Sequence, residues 1–179
     1  MDIVFPLLIT LLAIAVINDL RRHTIPNLLT FSFIAIGILV HGIANGFEGL
    51  WFSVSATGLA FLILAPVVAI KALGAGDAKL MMAVGSLVGV ELLLSSLVWG
   101  VIFGGFSSLL FAWYRTGWPG FKATLYRYQL QFATKKLIPA QANEAASIKA
   151  PYAPALALGT VIAVWQTAFV HTQLTFSLG

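Results

Sequence analysis

Gly74-Ala75-Gly76-Asp77-Ala78-Lys79-Leu80 follows a long apolar run, Leu50 to Ile70, and sets a carboxylate where a hydrophobic chain turns back on itself. The one other Asp expected near that level is Asp19, which closes the first hydrophobic segment. The fold and the chemistry both turn on whether these two acids meet.

Of the 179 residues, 60% are hydrophobic and only 9% are charged, whereas a soluble domain carries roughly a quarter charged residues. The composition is that of a membrane protein. A hydrocarbon core about 30 Å thick takes about 20 apolar residues per helix, so the chain reads as one integral bundle, all-α and polytopic. There are no cysteines, which removes disulfides, thiolate catalysis and Cys-ligated zinc. His23, His41 and His171 match no ligand spacing, so neither a metal nor another cofactor is expected. A net charge of +4 is small for a nucleic-acid binder, and no nucleic-acid partner is expected. Residues 1–18 lack the basic start and small-residue cleavage site of a signal peptide and read as a retained first helix.

Taken in order, the first span covers Ile3 to Asn18 and ends in Asp19-Leu20-Arg21-Arg22-His23, whose arginines reach into lipid headgroups and leave Asp19 at the membrane edge. Thr24-Ile25-Pro26-Asn27 reads as a tight turn: Pro26 disfavours helix at Ile25, and Asn27 is the expected N-cap of a second span starting at Leu28. His41 to Gly46 breaks that helix. A third span runs from Leu50 to Ile70, with Pro66 freeing the Leu62 carbonyl and keeping a gap for water. The fourth starts after Asp77 and runs to Val90, with Glu91 marking the turn. The fifth runs from Leu92 to Tyr114, and the sixth from Pro151 to Val170. Between these last two, residues 115–150 form the long polar connection, in which Phe121, Leu125, Tyr128 and Phe132 recur at helical spacing, as in an amphipathic helix on a bilayer surface.

Charge sets the topology. With six transmembrane helices, the loops 19–27, 71–79 and 115–150 hold all ten Lys and Arg residues, and the opposite side holds Asp2, Glu48, Glu91 and His171. The positive-inside rule then makes the long 115–150 loop cytoplasmic and puts both termini outside. It also sets Asp19 and Asp77 at the same depth. Two nearby carboxylates in a low dielectric share one proton: the charged one takes a proton from water, and the protonated one hydrogen-bonds a peptide carbonyl. Gly74 and Gly76 are expected to supply φ > 0 or to pack against a substrate strand. Lys79, two residues from Asp77, is expected to point elsewhere and serve headgroups or topology. On periodicity alone the ordinary alternative stays open, with Asp77 a helix cap and Asp19 an interfacial partner of Arg21 or Arg22.

Three stretches carry a family resemblance: Asn18-Asp19-Leu20-Arg21-Arg22-His23-Thr24-Ile25-Pro26-Asn27, Gly74-Ala75-Gly76-Asp77-Ala78-Lys79-Leu80, and Pro151-Tyr152-Ala153-Pro154-Ala155-Leu156-Ala157-Leu158-Gly159. Together they resemble the type IV prepilin peptidases, integral-membrane aspartic proteases, and in particular the short members that serve tight-adherence (Flp-type) pili. The resemblance implies a single peptidase domain over residues 1–179, with Asp19 and Asp77 as the catalytic pair and Gly74, Gly76, Lys79, Pro26, Asn27, Pro151 and Tyr152 in support. It implies an enzyme of the bacterial inner membrane that cuts a short basic leader from prepilins and pseudopilins at the cytoplasmic face, beside membrane lipids and pilus assembly machinery.

Ala153 stands where many relatives carry glycine, and Tyr152 is expected to be an interfacial anchor. Longer members of the family carry an extra cytoplasmic domain with paired cysteines and are associated with methylating the new N-terminus; with no cysteines and a short interval from Asp19 to Asn27, the resemblance here implies proteolysis and leaves methylation open. Recognition of the leader is expected to draw on the hydrophobic helix that follows it and on acids such as Glu144. Two other classes fit the same residues: a small ion- or proton-coupled transporter or channel with Asp19 and Asp77 as relay sites, and a presenilin-like intramembrane protease. The residue before Asp19 is Asn18 where the presenilin-like class offers Tyr.

Overall fold

The computed structural model describes residues 3–134 and 151–177, with side chains placed through Phe169. Among these residues there is no strand, as the composition predicts. The helices are α1 (Val4–Arg22), α2 (Asn27–Ala69), α3 (Ala75–Thr134) and α4 (Ala153–Ser177). The first three are each long and apolar enough to cross a membrane. The chain divides into two compact units, Met1–Phe103 with Pro151–Gly179, and Gly104–Ala150. Glu144, Lys135, Lys136 and Lys149 lie outside the described residues, as do Asp2 and the His171 side chain.

In the larger unit, neither α2 nor the part of α3 that belongs to it is one straight rod; a straight helix of the 43 residues of α2 would extend about 65 Å. Both reverse at a glycine. Gly46 has φ 61° and ψ −135° inside α2, and beyond it the chain folds back far enough for Gly49 to sit on the His41 carbonyl and for Gly42 to face the Leu50 side chain. Residues eight apart on a straight helix would be about 12 Å apart. In α3 the reversal is at Gly89, φ 79°, which lets Leu93 return against Gly85. The turn expected at Glu91 therefore falls two residues earlier, because a left-handed backbone turns the chain and a charge merely tolerates exposure there.

The arm 75–88 is the central rod. Leu80, Met81, Ala83, Val84 and Leu87 are all buried, as in a helix surrounded by others. Glycines bring its neighbours close: Gly37 lies against Ser86, and Gly85 against the Ala56 carbonyl. Hydroxyls bridge the same contacts, with Ser53 Oγ donating to the Ser86 carbonyl, and Ser86 Oγ to the carbonyls of Ala83 at 2.8 Å and Phe33 at 3.4 Å. On the outside, Leu28, Phe31, Ile43, Leu62 and Val101 stay exposed, an apolar surface suited to lipid.

Three helix ends differ from expectation. The first helix runs a turn beyond Asn18, to Arg22, where two arginines oppose the negative end of its dipole. The second begins at Asn27 itself, behind an extended Pro26. In the smaller unit α3 stays helical through Thr134 and changes direction at Gly117, φ 59°. There Trp113 stacks near Trp118 and Phe121, at 5.7 and 5.9 Å between ring centroids, and Lys122 lies over the Trp118 ring.

At Gly89 a side chain would meet both a positive φ and the Phe52 ring. Gly89→Ala is therefore expected to cost roughly 1–3 kcal/mol, read as a lower melting temperature in detergent, and Phe52→Leu added to it should recover part of the loss.

Candidate active site

Asp19 reaches the core because it continues the buried stripe of α1. Leu8, Leu11, Leu12, Ala15 and Asp19 lie on one face of the helix, each three or four residues from another, and are all buried, while Asn18 turns outward and returns its amide to the Ile14 carbonyl at 2.9 Å. Immediately beyond, His23 takes a left-handed conformation, φ 50°, and its N–H closes on the Asp19 carbonyl oxygen at 2.8 Å. The helix thus ends just after the acid has been set on the inner face.

Asp19 is only 6% exposed, and a buried carboxylate needs donors from the protein. Its partner comes from the far end of the chain: Ala153 N–H donates to Asp19 Oδ2 at 3.0 Å. α4 starts at the Tyr152 carbonyl, which accepts from Ala155 and Leu156 at 3.1 and 3.2 Å. Ala153 therefore carries one of the N–H groups that no helix carbonyl can take, and Pro154 follows where a missing N–H costs nothing. Arg21 and Arg22 lie exposed, so Asp19 is a cap on α4 and not the interfacial ion pair of the ordinary alternative.

Asp77 occupies the first turn of α3, where its carboxylate takes the Gly74 backbone N–H and the Ala78 N–H closes the first helical bond to the Gly74 carbonyl at 3.2 Å. The two glycines are there for space. Neither has positive φ, contrary to one expectation, and what they admit is this chain's own groups: a Cβ on Gly74 would lie 2.7 Å from Asp77 Oδ2, and one on Gly76 would lie 3.3 Å from the Ile25 Cβ. The turn at Thr24 to Pro26 can so fold down onto α3, burying Ile25.

Asp19 and Asp77 line one cavity of about 270 Å3, together with His23, Thr24, Ile25, Asn27, Gly74, Ala75, Gly76 and Lys79. Six of the nine residues expected from sequence converge here; Pro26, Pro151 and Tyr152 do not line it. Lys79 does not point elsewhere. Its long stem brings the ammonium to Asn27 Oδ1 at 2.8 Å and over the Phe31 ring at 5.5 Å. Asn27, expected as an N-cap, makes no capping bond and ties α2 to α3 instead. Tyr152, expected as an interfacial anchor, is half-buried and packs against the core. His23, which the sequence offers only as a histidine without ligand spacing and as part of the first family stretch, also lines the cavity. Among the described residues no group of three metal-ligating side chains occurs.

Two carboxylates, an ammonium and an imidazole around a small cavity can bind and polarise water and a peptide carbonyl. The sequence profile of the type IV leader peptidase family matches residues 6–109, which include both Asp19 and Asp77. The chain belongs to the type IV leader peptidase family. No curated protein and no solved structure matches it. As a member of that family it is a peptidase, and its apolar helices make it a membrane peptidase.

Because a Cβ at position 74 would press on the flexible end of Asp77 and not on backbone, Gly74→Ala should move the carboxylate more than it destabilises the fold. Leader cleavage is expected to fall at least about tenfold, on the scale of a misplaced reacting group, with a melting temperature closer to wild type than that of Gly89→Ala.

Proposed function

We propose that this leader peptidase is an aspartic endopeptidase that removes the short basic leader from prepilins and pseudopilins at the cytoplasmic face of the bacterial inner membrane. The observation that carries the reading is the convergence of Asp19 and Asp77 on one cavity. One carboxylate takes a proton from water as the oxygen attacks the scissile carbonyl carbon; the other acid gives its proton to the carbonyl oxygen. Collapse of the tetrahedral diol breaks the C–N bond, with a proton passing to the departing nitrogen, and leaves a carboxylic acid and an amine. No covalent intermediate is needed. At about 270 Å3 the cavity has room for an extended peptide unit beside a water, whose share of liquid volume is roughly 30 Å3. The scissile peptide must leave the substrate helix first, because a carbonyl already hydrogen-bonded within a helix is poorly exposed to attack.

The membrane placement rests on charge and on the reversals. The chain threads the bilayer six times, turning at Gly46 and Gly89 on the outer side, with both termini outside and the basic residues at the cytoplasmic side. A pilin helix standing in the same bilayer would then deliver its leader junction to the level of the two acids. The helical stretch after Gly117, with Lys122 and Arg127 beside aromatic rings, suits the inner lipid surface.

Coexpression with a prepilin tests the chemistry: Asp19→Asn and Asp77→Asn are each expected to reduce leader removal by about 10^2 to 10^4-fold, the span of a general acid or base, while the protein still inserts. Cleavage retained by either variant refutes the pair. For topology, a single cysteine at Glu48 should react with an impermeant reagent from outside, and one at Lys71 only after the membrane is opened.

A further inference from the structure

A substrate that carries a hydrophobic helix must reach the cavity from within the bilayer, and the walls of the cavity are not equally closed. On the α4 side Ala153, Ala155 and Leu156 are buried, and Ala153 is bonded to Asp19. On the α1 side Asp19 is buried while the next residue, Leu20, is exposed, so the helix itself stands between the acid and the lipid. The exposed lining residues His23, Thr24, Gly74 and Ala75 lie where α1 ends and α3 begins. Asn27, also exposed and lining, is different, because it is the first residue of a helix that runs on through the apolar part of the chain. Its Oδ1 accepts from the Lys79 ammonium at 2.8 Å, and that ammonium lies 5.5 Å from the centre of the Phe31 ring, one turn further along. Phe31 is 53% exposed, so it meets a lining residue on one side and the outer surface on the other. Leu28, Phe31, Ala35, Leu39 and Ile43 follow at three- and four-residue steps and are all exposed. They form one stripe from the cavity toward the reversal at Gly46, about 22 Å long, most of a hydrocarbon core. Leu62 in the second arm of α2 and Val161 in α4 are exposed as well, yet neither that arm nor α4 contributes a lining residue.

We infer that the stripe of α2 from Leu28 to Ile43 is the docking face for the hydrophobic helix of the substrate, with Phe31 the contact beside which the leader junction passes from lipid into the cavity. This rests on the reading of the chain as a peptidase of membrane-inserted prepilins. α2 leaves the level of the acids and runs outward, and the pilin helix does the same once its leader has ended, so the two lie parallel with the junction beside Asn27. Helices in lipid associate by close packing of side chains, and an aromatic ring is the largest group the stripe offers near the cavity. Phe31 binds and aligns the substrate and takes no part in moving protons.

The test captures the uncut substrate. In membranes that hold the full chain as Asp77→Asn together with a prepilin, the photo-crosslinker p-benzoylphenylalanine is placed singly at positions 28, 35, 39, 20, 62 and 161. Prepilin adducts are expected from 28, 35 and 39 and only at background from 20, 62 and 161. The pilin residue captured from 39 should lie about 11 residues beyond the one captured from 28, as for two parallel helices. With the purified active enzyme, Phe31→Ala should raise KM for prepilin roughly three- to tenfold with kcat little changed, the signature of lost binding common to ground and transition states; Phe31→Leu should stay closer to wild type. Capture from 20, 62 or 161 as strong as from 28, reversed order along the pilin, no capture from α2, or capture of a second copy of this chain overturns the docking face. A wild-type chain that leaves the prepilin uncut, or an Asp77→Asn chain that cuts it, refutes the underlying peptidase reading instead, so the two failures are told apart.

Discussion

The larger unit depends on one hydrogen bond that closes the chain on itself, from the first free N–H of α4 to the carboxylate near the end of α1, 134 residues away in sequence. An unpaired carboxylate at 6% exposure would cost several kcal/mol, and an uncapped helix start buried beside it would leave a donor unmet. Each group answers the other's need. The bond also sets register: α4 can begin only where its amide meets the fifth residue of the α1 stripe, and so Ala153 is held against Asp19. Two helix starts, of α3 and α4, thereby face two acids, and the positive ends of both dipoles point into the same region.

What lets this closure occur is the thinness of the surfaces that meet. In a bilayer, lipid tails are as apolar as leucine, so helices associate through close packing and hydrogen bonds. Here glycine supplies the closeness, at Gly37 against Ser86, Gly85 against Ala56 and Gly159 against Gly100. Buried hydroxyls are satisfied by carbonyls of their own helices, as at Thr30, Ser96 and Thr160. Among the described residues no buried side-chain polar atom lacks a partner. Two of these contacts, at Ser86 and Gly85, fall on the central rod, residues 75–88, and Asp77 sits at its start. Its first turn is held in place by a packed rod below and by the Ile25 turn above.

Much of this was legible in the chain. Composition and apolar run length gave an all-helical membrane protein, and the glycine motif with the upstream Asp pointed to the two acids that share the cavity. The misses have physical causes. Glu91 drew attention as a charged residue at a boundary, but the turn needs a residue that accepts φ 79°, and Gly89 two positions earlier does so. Asn27 was assigned from its statistical preference for capping; with Pro26 already extended and supplying the first carbonyl, its amide was free to take Lys79. For Lys79 the two-residue offset from Asp77 misled, since a four-carbon stem reaches round a helix to a partner that only the fold brings near. Nothing in Pro151-Tyr152-Ala153 announces a partner at position 19, because a backbone N–H has no sequence identity.

That last point bears on what the third stretch selects for. If its contribution to the site were a side chain, alanine at position 153 would be a poor choice, with nothing to donate. Because the contribution is an amide hydrogen, what matters is that residue 153 be the first helical residue, that it not be proline, and that it be small enough for α4 to lie against Asp19 on a surface where it is fully buried. Alanine meets all three conditions, and glycine would meet them too, at some cost in helix propensity. Tyr152 before it and Pro154 after it then act on the backbone: one supplies the carbonyl that starts the helix, and the other permits only a helix start. The stretch is best understood as a device for presenting one N–H group at a fixed place, with its apolar side chains holding the device in the core.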